Sequence, residues 1–525
     1  MRGVVGRHDM SSCAAMSRRL RGGAALVIAF LVVSAFDRPA SAETLEEALA
    51  DAYLINPVLN AERARLRAID EQVALAKSGM RPFIFGSADT AFLNTNTGID
   101  RPRRQSSPFS VLATPGTCEN AGGGAVTCQP PGSVAAVPVD EIFAGGEAGT
   151  DDGPTNPRGY AINLNQPLFQ GFQNLNAIRQ AKATVQAARE VLRTVEQTVL
   201  LDAVTAYVNV VRDRAIVRLR ENDVTVLSEQ LKATKDRFEV GEVTRTDVAQ
   251  AEARRAEALA TLAAAQANLK TSRAAYEQII GHPPDNLVTP PSIRYLLPPT
   301  LNEAMTLGDG ENPIILATIY NEESSLYAVQ QIMGEMLPEV TLEAQYQKRF
   351  DLGSTIEEQE ETRVTGRVNV PFYQGGSVSA RVRQAKETNN QIKKEVEDAR
   401  LRVHADVIAF WGILQSSGPA ISSAEAAVAA NKIALTGVRE EEKVGQRTTL
   451  DVLDAQRELL NSQIGLVTAL RDRIVAEYSL YAAIGRMDAQ TLGLPVPYYD
   501  PIEHYDIVKN KWFGLRPPTP PAPDE

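Results

Sequence analysis

The chain repeats itself, and that repeat constrains its fold more than any other feature. TLEEALADAYLINP at 44–57 is echoed by TLNEAMTLGDGENP at 300–313, an offset of 256 that also maps Met80 and Pro82 onto Met336 and Pro338. Further on the offset falls to 204. LNQPLFQGFQN (164–174) answers VNVPFYQGGSV (368–378), VGEVTRTD (240–247) answers VGQRTTLD (444–451), and Ile280-Gly281 answers Ile484-Gly485. The 52-residue difference between the offsets lies between Pro82 and Pro167 of the first copy. It includes TPGTCENAGGGAVTCQPPGS, a low-complexity loop carrying Cys118 and Cys128. Any fold for this chain must therefore pack two copies of one plan, only one of which carries a long insertion.

Each copy has the same order of elements. A first helix covers about 44–79 and again 300–336, ending before Pro82 or Pro338 as a proline-limited helix does. Two strands follow, flanking a loop. In 159–169, Tyr160, Ile162 and Leu164 alternate with Ala161, Asn163 and Asn165. In the second copy Val340, Leu342, Ala344 and Tyr346 alternate with Thr341, Glu343, Gln345 and Gln347, while Val364, Val368 and Val370 alternate with Thr365, Arg367 and Asn369. Period two with one apolar and one polar face means half-buried strands. From Asn174 to Glu239 there is no proline or glycine, which predicts a rod near 100 Å at 1.5 Å per residue. The matching stretch is expected as 377–415 and 421–444, kinked or spliced by SSGPA at 416–420. After each Val-Gly turn a returning helix is expected, about 246–280 and 448–484. A bundle of helices alone would leave the alternating runs beside the same Pro-containing junction in both copies without a role.

Residues 17–42 read SRRLRGGAALVIAFLVVSAFDRPASA, an Arg-rich start, an apolar run from Ala24 to Phe36 and a small-residue ending suited to signal peptidase. A transmembrane anchor is the competing reading of that run. Residues 1–42 carry six Arg and two Asp, so a chain beginning at Glu43 would have a net charge near -15, against -11 for the whole. Such acidity argues against a nucleic-acid partner. After Ala42 no apolar stretch approaches the length of a membrane helix, so a membrane-spanning mature chain would span as strands. In an exported chain Cys118 and Cys128 are a possible disulfide; two thiols without nearby His make only half a zinc site.

Four strands cannot close a barrel, and open strand edges are not tolerated in lipid. Several chains would have to contribute to one barrel: two give eight strands, with barely room for side chains, and three give twelve around a water-filled lumen. Asn163, Asn165, Glu343 and Arg367 would line the water; Ile162, Leu164, Val368 and Val370 would face lipid. Apolar stripes on the rods, such as Val191, Leu192, Val195, Val199 and Leu200, require neighbours along their length. Asp451 and Asp454 lie three apart on one helical face, so a three-fold axis would converge six carboxylates, attract cations and raise the pKa of the members. A solvated charged face after a turn is the plainer reading. Enzymatic signals are missing: the histidines are His8, His282, His404 and His504, none with metal spacing, and GGEAGTDDG (145–153) lacks the lysine and context of a phosphate loop. No catalytic residue, metal or cofactor is assigned.

Taken together, the NP-containing first helices, the QPLFQG and VPFYQGG junctions, the paired Val-Gly turns and TTLDVLDAQRELLNSQ (448–463) resemble the TolC-type family of outer-membrane efflux and secretion channels over roughly 44–490. The resemblance implies a mixed α/β membrane protein: a homotrimeric 12-stranded β-barrel, four strands per protomer, continued by a long periplasmic α-helical barrel. It implies an outer-membrane location with most of the mass in the periplasm, and partners in a periplasmic adaptor protein, an inner-membrane transporter and outer-membrane lipid. It places Asp451 and Asp454 at the periplasmic entrance, and Arg447 in closed-state contacts toward Thr246 and Asp247 of the neighbouring turn. Gly241 and Gly445 fall at the adaptor-facing turns. Glu442 departs from the tyrosine found in the best-known members, and facing Asp247 it would repel unless Lys443, Arg447 or a proton intervened. The expected domains are an N-terminal extension and signal peptide at 1–42, a first repeat at 43–285 with a long extracellular loop at 93–158, a second repeat at 300–485 and a Pro-rich tail at 486–525. A noncatalytic periplasmic coiled-coil adaptor or scaffold is the alternative; it accounts for the helices and not for the strands.

Overall fold

The computed structural model describes residues 43–95, 118–121, 125–128, 153–353 and 356–518. The expected signal peptide at 1–42 and most of the loop at 93–158 lie outside the described residues.

In both copies the expected first helix is two helices. α1 (Leu45–Ile55) and α2 (Pro57–Ser78) break at Asn56; α5 (Leu301–Glu311) and α6 (Pro313–Gly334) break at Asn312. The cause is the Asn-Pro pair. Proline suits a first helical position because its missing N–H would have no partner there, and it disfavours helix in the residue before it. Each asparagine caps the helix that follows: Asn56 Oδ1 accepts from Val58 N at 2.9 Å, and Asn312 Oδ1 from Ile314 N at 2.9 Å. Each also donates from Nδ2 to the end of a returning helix, Asn56 to Ile279 O and Asn312 to Ala483 O, both at 2.9 Å. The duplication thus extends to individual hydrogen bonds.

The strands form an antiparallel sheet in the order β1-β6-β7-β8: β1 (Phe83–Thr90), β6 (Arg158–Gln170), β7 (Glu339–Phe350) and β8 (Glu358–Asn369). Between β1 and β6 the segment expected as loop contains two short pairs: β2 (Leu93–Thr95) with β5 (Gly153–Thr155), and β3 (Cys118–Ala121) with β4 (Ala125–Cys128). The register of the main sheet puts Ile84, Ile162, Leu164, Ala344, Tyr346, Val364 and Val368 on one face. Asn163, Asn165, Glu343, Gln345, Arg363 and Arg367 share the other with Phe83 and Phe85. On that second face Arg367 pairs with Glu343 at 2.9 Å, and Gln347 donates to Glu361 at 3.0 Å. Ile84, Ile162, Val364 and Val368 are all exposed in the protomer.

α3 (Gln173–Glu239) and α7 (Ser377–Lys443) are both 67 residues long and are offset by 204 at each end. The expected break at SSGPA does not occur: α7 runs through Pro419. Proline forfeits one helical hydrogen bond, and here Ser416 Oγ and Ser417 Oγ bond back to Ile413 O and Leu414 O just before it, at 2.9 and 2.7 Å. The returning helices are α4 (Arg245–Ile280) and α8 (Thr449–Ala483). Strand and helix meet at a tight junction where Gly171, at φ 55°, faces Gly334; a Cβ on Gly334 would lie 2.4 Å from Gly171 O.

The main core sits at mid-length, where the copies meet. Leu49, Tyr53, Leu200, Tyr207, Tyr276, Ile280, Ile315, Val407, Leu480, Tyr481 and Ile484 are buried in one cluster. The segment after Gly485 joins it: Met487, Ala489 and Leu494 are buried there, and α9 (Glu503–Val508) packs on α2. The first part of the Pro-rich tail is thus packed against the helices.

Candidate functional site at the helix turns

The two Val-Gly turns are built alike. Gly241 and Gly445 take φ values of 80° and 77°, a conformation that costs other residues a steric penalty. Their N–H groups donate to Phe238 O at 3.0 Å and Glu442 O at 2.9 Å. The following N–H groups reach one residue further back, Glu242 to Arg237 O and Gln446 to Glu441 O, both at 2.9 Å, so each turn covers the open carbonyls of the helix it ends. A Cβ on either glycine would meet nothing within 4 Å, so the requirement is conformational and the space outside both turns is open.

Three residues later each returning helix starts with a capping box. Thr244 Oγ1 accepts from Asp247 N at 3.3 Å, and Asp247 Oδ2 accepts from Thr244 N at 2.8 Å. Thr448 and Asp451 repeat this at 3.3 and 2.9 Å, and both threonine hydroxyls also donate to the carboxylate. The signature T-x-x-D was present in both turns and identifies the role from sequence alone. Hydrogen bonds from Thr244, side chain first, hold the Asp247 carboxyl below its ordinary range, and those from the Thr448 backbone and hydroxyl do the same for Asp451. Within the protomer the shift of Asp451 is therefore opposite to the one a carboxylate ring leads one to expect.

Asp454 has a different environment. Arg254 Nη2 of α4 lies 2.9 Å from its Oδ1, and Arg457 Nη2 lies 3.6 Å away. Beneath it Leu453 is buried against Leu227 and Ala258, which docks the first turns of α8 onto α3 and α4. Nearby, burial raises the Asp223 carboxyl above its ordinary range, opposed by a hydrogen bond from Gln456.

Glu442 has a counter-charge that the sequence did not suggest. Arg237, near the end of α3, places Nη1 2.8 Å from Glu442 Oε1 and Nε 3.3 Å from Glu242, and its charge helps lower the pKa of Asp247. Thr449 Oγ1 donates to the same Glu442 oxygen at 3.3 Å. Lys443 pairs with Glu440 at 2.8 Å and Arg447 with Glu441 at 2.9 Å, so neither serves Glu442. Thr246 is exposed in the first turn of α4, and the protomer does not bring Arg447 to it or to Asp247. Arg237 and Arg254 were invisible to sequence reasoning because their partners lie some two hundred positions away. Among the described residues no group of His, Cys, Asp and Glu is arranged to hold a metal, and no helix is long and apolar enough to cross a membrane.

The chain matches the family described as outer membrane efflux protein over residues 120–282 and 309–486, one match in each copy. It is 39% identical over 480 residues to the outer membrane efflux protein BepC of Brucella suis, covering 91% of this chain and 93% of that one. To the outer membrane protein TolC of Vibrio cholerae it is 27% identical over 337 residues, 63% of this chain and 77% of that one. Its fold is shared with the CmeC outer membrane channel of Campylobacter jejuni, at a TM-score of 0.68 and 14% identity over 89% of each chain. These are efflux and channel proteins rather than enzymes, and the chain is likewise not an enzyme. With both copies matched and nearly the whole length aligned, the chain belongs to the outer membrane efflux protein family, the TolC-type channels.

Proposed function

We propose that three copies of the chain form a passive conduit through the outer membrane and across the periplasm. In this assembly β8 of each protomer pairs with β1 of the next, giving twelve strands. The observation that carries this reading is the four-stranded sheet, whose outer strands are unpaired among the described residues, and its exposed apolar face. Because the sheet is antiparallel and even-numbered, β1 and β8 run in opposite directions, so every junction between copies closes as a regular antiparallel ladder. β6, β7 and β8, at 12–13 residues, are long enough to cross a bilayer at a tilt. A soluble coiled-coil adaptor or scaffold would leave Ile162, Val364 and Val368 in water for no purpose.

The helices α3, α4, α7 and α8 of three copies then continue the barrel as a periplasmic tunnel about 100 Å long. Substrate enters at the turns, delivered by an inner-membrane transporter through an adaptor that grips the open turns at Gly241 and Gly445. In the resting state α7 and α8 form the iris. Arg237–Glu442 and Arg254–Asp454 hold them to α3 and α4 within a protomer, and Arg447 reaches Thr246 and Asp247 of the neighbour. Asp451 and Asp454 from three copies line the entrance as a cation-attracting ring.

Fractionation and planar-bilayer recording test the reading. A heat-modifiable trimer in outer-membrane fractions with single-channel conductance supports it; a soluble, conductance-free protein sinks it. Neutralising Arg447 should raise resting conductance, and a value no higher than wild type would count against its closing role.

A further inference from the structure

The chain beyond Gly485 runs along α1 and then α2. Tyr499 N donates to Tyr53 OH at 3.0 Å, His504 Nδ1 lies 3.0 Å from buried Asp70 Oδ2, and Lys77 Nζ donates to Asn510 Oδ1 at 2.6 Å. At the top, Arg81 Nη1 donates to Lys511 O at 2.9 Å, and its guanidinium stacks over the Trp512 ring at 4.5 Å. Arg81 belongs to the short link between α2 and β1, two residues before the first strand. That link is tied to the sheet by Gln166 of β6, which donates to Met80 O at 3.0 Å.

What this ladder delivers to the helix-side rim of the sheet is a closed finger, Lys511-Trp512-Phe513-Gly514-Leu515-Arg516. Lys511 Nζ donates to Arg516 O at 2.9 Å, and Gly514 takes φ 116°, which closes the turn. Its apolar side chains are largely exposed: Trp512, one ring face of which meets Arg81, is 59% exposed, Phe513 86% and Leu515 103%. Water gives no reason to build a turn that presents three large apolar groups flanked by two cations. A membrane interface does: tryptophan and phenylalanine settle at the headgroup level, lysine and arginine beside them reach phosphates, and such a patch rarely stays bare on a soluble surface.

We propose that residues 511–516 are a membrane-interface anchor that inserts into the periplasmic leaflet of the outer membrane beside the barrel and braces α2 against it. The proposal rests on the barrel reading above, because the same rim must lie at the bilayer surface for the finger to reach lipid. It commits to phospholipid as the occupant, on two grounds: the finger adjoins the sheet end that enters the bilayer, and its cations match an anionic headgroup layer.

The test uses the full-length trimer with Trp411→Phe, which leaves Trp512 as the only tryptophan of the two in the chain. It is reconstituted in phospholipid vesicles whose acyl chains are brominated at shallow or deep positions, and conductance is recorded from the same vesicles. The expected result is loss of most Trp512 emission with shallow bromines, less with deep ones, and little quenching by aqueous acrylamide. Phe513→Asp with Leu515→Asp should reverse that preference while conductance stays at the wild-type level. Conducting vesicles in which neither brominated lipid quenches Trp512 would overturn the anchor and leave the channel reading intact. Protection from both lipid bromines and acrylamide would show that a neighbouring copy covers the finger, and would also overturn it. Vesicles that do not conduct would defeat the channel reading, and the anchor with it.

Discussion

In the proposed channel Asp451 does two jobs, closing the first turn of α8 and contributing charge to the entrance, and the capping geometry allows them to be separated. Thr448→Ala removes the hydroxyl that accepts from Asp451 N at 3.3 Å and donates to Asp451 Oδ2 at 2.9 Å, and leaves both entrance carboxylates in place. Losing such a cap costs about 1 kcal/mol, which corresponds to roughly five-fold more frequent opening of the helix end. Asp451→Asn does the reverse: it keeps a side-chain oxygen as acceptor and deletes the charge. The assays are hydrogen exchange at the amides of 448–453 and block of conductance by a divalent cation, on the same preparations. Thr448→Ala should raise exchange about five-fold with block unchanged. Asp451→Asn should weaken block and keep most of the protection. If Thr448→Ala weakens block as much as Asp451→Asn does, the carboxylate acts only through the helix end and the charge argument fails. pH gives a second reading. The folded pKa of Asp451 lies below its ordinary 3.8, so its contribution is complete above that value and drains away as pH falls through the depressed folded pKa. Thr448→Ala removes the hydroxyl's share of the shift and keeps the larger share, the hydrogen bond from the backbone of residue 448, so the acid edge of amide protection should move only part of the way upward toward 3.8.

Three further outcomes are expected. Gly334→Ala drives a Cβ to within 2.4 Å of Gly171 O, an overpacking of about 1–3 kcal/mol at the strand-to-helix junction, and should lower the thermal unfolding temperature of the protein; an unchanged temperature would mean the junction relaxes freely. Arg254→Ala leaves Asp454 with only the longer Arg457 contact and should raise resting conductance, whereas wild-type resting current would exclude this pair as a brace of the closed state. Cys118 and Cys128 stand directly opposite in the pairing of β3 with β4. A disulfide there predicts that native protein resists thiol labelling until reduced, and immediate labelling of both would reject it.

The repeat, the strands and the turn positions were legible because they rest on local chemistry: period-two alternation, long runs free of breakers, and glycine at φ near 80°. The capping boxes are equally legible, being a four-residue word, although the same acids also read as charges on a helix face. Pro419 misled for a different reason. Its cost is fixed locally, but whether a helix continues past it is settled by partners along 67 residues, and α7 has α6 and α8 to hold it on both sides. The Asn-Pro pairs are visible in the sequence, but a single first helix is the expectation there; the second bonds of Asn56 and Asn312, to Ile279 and Ala483, belong to the packed molecule alone. The same holds for Arg237 and Arg254, and for the tail, whose prolines concealed a segment fixed by Tyr53, Asp70 and Lys77.

The equal length of α3 and α7 has a consequence for how such a chain can change. Both helices start at the sheet and end at a turn, so their common 67 residues act as a ruler that sets two sets of turns to one height. One residue more in either helix moves its turn by about 1.5 Å and rotates it by about 100°. The added residue would carry the turn's charged groups out of reach of their partners. A shift of a whole turn restores the facing and still leaves the rim stepped by about 5.4 Å. Length changes are therefore tolerable only in matched pairs, one in each copy, and the insertion that unmatched growth allows is confined to the far side of the sheet, where the first copy carries its long loop.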